Sequence, residues 1–167
     1  MSRRARPLGI CLAAAAVACH DPAATPSVRP LARLPFATAT PDCAPWDGPA
    51  VSILLSETAQ TGEPVPPPFV RVTLYDAPDR LARRTIRWPA EATEGGASWC
   101  RAGDDCAPAD SGQVRLEALE GDSVLPGRLR LVFPGGAVLD GSFRASWRPR
   151  LALCGERTRA AGPLGRP

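Results

Sequence analysis

Cys43, Cys100, Cys106 and Cys154 are the residues whose type and number most restrict what chemistry this chain can do. Thiols in such a set form disulfides, hold a metal or exchange electrons, and spacing tells these apart. A redox pair commonly has the C-x-x-C spacing and a cationic setting that lowers a thiol pKa, whereas residues 101–105 separate Cys100 from Cys106. A zinc site is disfavoured too, because the one histidine, His20, is remote from these cysteines in sequence. Two disulfides are therefore expected, and sequence alone allows several connectivities. Position favours Cys43–Cys154, at the two ends of one segment, and Cys100–Cys106, which closes a short local loop.

The same histidine count removes Ser-His-Asp and Cys-His catalysis from the folded part of the chain. Carboxylates remain as general acids and bases: Asp104 with Asp105, Glu117 with Glu120 and Asp122, and Glu91 with Glu94. Such groups usually solvate turns, and a glycosidase-like pair needs an aromatic-lined cleft that a domain of this size hardly supplies. Asp104, Asp105 and Asp110 are oxygen donors of the kind calcium takes, but they lack the alternating Asp/Asn and Gly pattern of an EF-hand loop. No catalytic residue, metal ligand or cofactor is expected, and the chain does not read as an enzyme. Of the tryptophans, Trp88 and Trp147 fall on expected inner faces. Trp46, between Pro45 and Asp47, and Trp99, beside Cys100, are the candidates for a partly exposed binding platform.

The elements that would position these residues are strands. Alternation of polar and apolar residues marks Gln113–Ala118, Arg128–Leu131 and Leu139–Trp147. A turn at Pro134-Gly135-Gly136 joins the last two, with Gly136 at positive φ. That register sets Leu131 opposite Leu139 and Arg130 opposite Asp140, and gathers Leu129, Leu131, Leu139, Phe143, Ala145 and Trp147 on one face. A slip of one residue would oppose Leu131 to Asp140 and bury charge. Val51–Leu55, Phe69–Tyr75, Arg83–Trp88 and Leu151–Cys154 read as further strands, with Asp76–Arg80 as a turn or single helical turn. The expected fold is all-β: a single small antiparallel β-sandwich, with a small β-barrel as the alternative, stapled by two disulfides.

At the N-terminus, Arg3, Arg4 and Arg6 precede an apolar run from Leu8 to Ala18 that stops at Cys19. A basic start, a short apolar stretch and small residues before a cut read as an export signal over residues 1–18. The run is shorter than the roughly 20 apolar residues a spanning helix requires. Its end, Ala15-Ala16-Val17-Ala18-Cys19, resembles the lipobox of bacterial lipoproteins, while Ala16-Val17-Ala18 also meets the small-x-small rule of ordinary signal peptidase. The resemblance is confined to this segment. It implies a lipid on Cys19, a membrane surface as partner and a place in the cell envelope; a secreted or periplasmic product is the alternative.

Composition then limits the partners. The chain has no lysine, and three of its 20 basic residues precede the cut, which leaves 17 basic residues facing 17 acidic ones. A balanced product gives no electrostatic case for nucleic acid. Residues 19–41 are rich in Pro, Ala and Thr and read as a tether, residues 42–155 as the single β-domain, and residues 156–167 as a disordered tail. The expected function is a non-catalytic envelope lipoprotein or secreted β-domain that binds an envelope protein or glycan. A structural or accessory lipoprotein without a discrete ligand, and a carboxylate-based enzyme or small-ligand carrier, are the alternatives.

Overall fold

The structure is a computed structural model that describes residues 28–30, 34–59, 65–102, 105–149 and 154. The expected signal 1–18, Cys19, residues 20–27, the tail 156–167, Asp104 and residues 151–153 of the last expected strand lie outside the described residues. The strands are β1 (Val28–Pro30), β2 (Phe36–Cys43), β3 (Pro49–Ser56), β4 (Phe69–Leu74), β5 (Thr85–Trp88), β6 (Gly95–Ala102), β7 (Asp105–Pro108), β8 (Ser111–Leu116), β9 (Val124–Phe133) and β10 (Ala137–Trp147). One short helix, α1 (Pro78–Leu81), follows β4, with its proline in the first turn where the missing N–H costs nothing.

The fold is all-β, and its strands lie in one curled sheet, a half-barrel, rather than in two stacked sheets. The order is β5-β8-β9-β10-β2-β3-β4-β6-β7, with β1 added in parallel on β10. The curl is so tight that β7 runs almost directly into β8, although the two pair with neighbours at opposite ends of that order. Between them the Ala109 N–H donates to the Ala97 carbonyl of β6 and the Asp110 N–H to the Val132 carbonyl of β9. These bonds draw the two ends of the sheet together, which a sandwich would keep in separate layers.

Side-chain size makes such curvature available. Gly127 of β9 faces Phe143 of β10, and a Cβ at Gly127 would run into that ring and into the Arg115 carbonyl of β8. A glycine at such a point lets the strands approach and bend around a bulky ring. The β9–β10 turn follows the expected chemistry: Gly135 and Gly136 have φ of 80° and 77°. Leu131 pairs with Leu139, and Arg130 with Asp140 through an ion pair of 2.8 Å.

Inward positions of nearly every strand merge into one core that includes Val51, Ile53, Val72, Ile86, Leu129, Leu131 and Ala145. Trp88 is buried in it, and Trp147 packs against it partly exposed. The expected disulfides are both formed, Cys43–Cys154 with Cα atoms 5.4 Å apart and Cys100–Cys106 with Cα atoms 3.9 Å apart. Cys100 and Cys106 are direct cross-strand neighbours on β6 and β7.

The segment 19–41, expected as a tether, instead contributes β1 and most of β2, so the sheet begins before Asp42. The alternation of Phe36-Ala37-Thr38-Ala39-Thr40 rests on alanine and threonine, which resemble linker composition when read alone. Pairing with β3 from Phe36↔Ser56 to Cys43↔Pro49 supplies the missing stabilisation, and Ala39 is fully buried.

Candidate functional site

At one end of the half-barrel Leu34, Trp99 and Ala107 are only partly covered, beside the buried Val70, Phe133 and Leu139. Register aligns Val70 of β4, Trp99 of β6 and Ala107 of β7 across the inner surface. The small side chain of Ala107 leaves space beside the indole. Phe133, the last residue of β9, meets the Trp99 ring edge-on, with centroids 5.5 Å apart and planes at 66°. Such T-shaped contacts are a favourable aromatic geometry. Together with Leu34 and Leu139, these residues bound a cavity of about 470 Å³. That lies in the range of pockets that take small molecules, about 300 to 1,000 Å³.

Charge is confined to the rim. Glu57 and Arg101 are the ionisable residues of the lining, and Arg101 stands 3.7 Å from Asp105 in an exposed pair. Among the described residues of the lining, Glu57 is the one carboxylate. Four of the carboxylates considered from sequence are engaged one by one elsewhere. Glu117 pairs with Arg115 at 3.1 Å, Glu94 with Arg84 at 2.6 Å and Glu120 with Arg144 at 2.5 Å. Glu91 accepts the Arg87 backbone N–H at 2.6 Å. The hydrogen bond and charge of Glu120 hold Arg144 above its usual pKa. Among the described residues no three His, Cys, Asp or Glu side chains are grouped to hold a metal ion.

The two tryptophans considered for binding do not meet. Trp46 sits in the turn between β2 and β3, closed by the Ala44 N–H to the Gly48 carbonyl at 2.8 Å, and it is 58% exposed. It rests edge-on against Tyr75 with centroids 5.0 Å apart. Trp99 is at the other end of the sheet, because its neighbour Val70 pairs with Leu55 near the far end of β3. From Pro49 to Leu55, β3 spans roughly 20 Å at strand rise. Phe133, Leu34 and Arg101 join Trp99 in the cavity without having been singled out from sequence. Phe133 continues the alternation of Leu129 and Leu131 up to Pro134, which is the signal that could have found it.

Fold and site together define a small disulfide-stapled β half-barrel with an open apolar mouth. The chain matches no protein-family model, no curated protein and no solved structure.

Proposed function

We propose that this chain is an exported, lipid-anchored and non-catalytic binding module whose ligand enters the mouth of the half-barrel. The observation that carries the reading is the cavity of about 470 Å³ walled by Trp99, Phe133, Val70 and Leu139, with charge only at its rim. Barrels of this size hold side chains or one small ligand. The ligand that fits is amphipathic, its apolar part against Trp99 and Phe133 and its polar end beside Glu57 and Arg101. Two disulfides support an oxidising compartment, and the lipobox-like residues before Cys19 support the anchor. An envelope glycolipid or a secreted amphiphile has the required chemistry.

Titration with anilinonaphthalene sulfonate, an apolar dye with an anionic end, tests the pocket. Saturable binding at one site is expected, with at least a tenfold loss in Ala107→Phe, which fills the space beside Trp99 from the rim. Unchanged binding in that variant would place the dye elsewhere and overturn the pocket reading. Absence of any saturable site would favour the structural alternative. The anchor has a separate test. Mass spectrometry of the protein expressed in a bacterial envelope is expected to find acyl chains on an N-terminal Cys19, and a chain still beginning at Met1 would refute export.

A further inference from the structure

The outer face of β5, β8 and β9 carries four arginines in two adjacent rows. Pairing puts Thr85, Arg115 and Arg128 in one row and Arg87, Gln113 and Arg130 in the next. Arg115 and Arg128 are thus direct cross-strand neighbours, an arrangement of like charges that disfavours the sheet. Strands lie about 5 Å apart and alternate residues about 7 Å apart, so the side chains spring from a patch of roughly 10 by 7 Å. With Asp140 they line a shallow cleft of about 350 Å³. Ion pairs account for two of them, Arg115 with Glu117 and Arg130 with Asp140. The guanidinium groups of Arg87 and Arg128 form no ion pair among the described residues.

A chain without lysine must use arginine for every cation, which explains the number of arginines but not where they stand. The outward rows of β2, β3 and β4 are Thr38, Leu54 and Arg71, then Thr40, Ser52 and Thr73, with a single arginine between them. Arginine is therefore denser on the outer face of β5, β8 and β9 than on that of β2, β3 and β4. The entering chain lies beside it: Pro30 of β1 pairs with Asp140, which pairs with Arg130. Residues 20–27 are all that separate Cys19 from β1, a reach of about 30 Å at most.

We propose that this arginine face docks the half-barrel onto an anionic phospholipid surface, with Arg87 and Arg128 taking lipid phosphates. A guanidinium offers paired donors to phosphate oxygens, and an anionic leaflet attracts clustered arginines within about a Debye length. The choice of a membrane over a soluble phosphate rests on the reading of Cys19 as an anchor.

The test uses the secreted chain carrying Cys19→Ser, which has no lipid of its own, and vesicles of phosphatidylglycerol or of phosphatidylcholine. Sedimentation is expected only with phosphatidylglycerol and to weaken with added salt. Arg87→Gln with Arg128→Gln is expected to lower the partition about 30-fold, and no carboxylate loses its partner in that variant. Equal partition to both vesicles, or undiminished partition of the double variant, would overturn the proposal. Saturable binding of free glycerol phosphate without vesicle binding would overturn it in favour of a soluble ligand. An unacylated Cys19 in the wild-type chain would refute the anchor alone, because the vesicle measurement does not depend on it.

Discussion

Replacing Cys43 and Cys154 together by serine is expected to cost about 4 to 5 kcal/mol of stability, from the chain entropy released when a long loop is opened. The two cysteines are separated by 111 positions, so the staple restricts almost the whole described domain in its unfolded state. Domains of this kind have only about 5 to 15 kcal/mol in total. The same reasoning assigns about 2 kcal/mol to Cys100–Cys106, whose cysteines are 6 positions apart. Urea unfolding of the two serine pairs distinguishes this account from a local one. The long-loop pair is expected to lose roughly twice as much. Equal losses, or a larger loss for Cys100 and Cys106, would mean that contacts around the bridge matter more than loop length. Position favours the longer staple locally as well. Cys43 ends β2, and the Cys154 sulfur lies 3.7 Å from the Asp42 carbonyl, so the bridge ties the chain after β10 back to the end of β2.

What the sequence revealed depends on whether a strand carries its own pattern. The register of the β9–β10 hairpin was legible, because leucines alternate with charges and a Pro-Gly-Gly turn fixes it, although β9 runs well beyond Arg128–Leu131 at both ends. The paired cysteines were legible by position. β2 and β6 were not: β2 alternates alanine with threonine, and β6 opens on Gly95 and Gly96, so each is made into a strand by its neighbours. Curvature was hidden for a related reason. Alternation reports which face is buried but not whether that face meets a second sheet or its own far edge. The decision between sandwich and half-barrel lay in the hydrogen bonds at Ala109 and Asp110, which involve backbone groups of partners remote in sequence.

The candidate site divides in the same way. Trp99 was marked by its chemistry, yet its role follows from Val70, Ala107 and Phe133, which come from three other strands and meet only once the sheet has curled. Trp46 was marked by the same argument and stands at the other end. An aromatic residue near a turn therefore locates a surface without saying which surfaces join. Arginine placement is comparable. Arg87, Arg115, Arg128 and Arg130 are dispersed in sequence and become one face through the order β5-β8-β9.

Phe133→Ala is expected to be the most costly single truncation at the mouth, by about 3 to 5 kcal/mol. Its ring is 2% exposed and belongs to the core while also walling the cavity. Trp99→Ala removes the ring it meets edge-on, and the double variant is expected to show a coupling of about 0.5 to 1.5 kcal/mol. Independent costs for the two would show that the aromatic contact does not help to shape the mouth. Ligand linkage then relates stability to function. A pocket ligand at about 100 times its dissociation constant stabilises the folded state by about 2.7 kcal/mol. The wild-type chain is expected to gain that amount with the dye, and Ala107→Phe, at a tenfold weaker affinity, about 1.4 kcal/mol at most. Phe133→Ala enlarges the pocket and removes a wall, so it should bind the dye more weakly and recover less than the wild type gains. A full gain in Ala107→Phe would separate dye binding from the mouth, whereas its loss there together with a reduced gain in Phe133→Ala would tie stability and binding to the same aromatic wall.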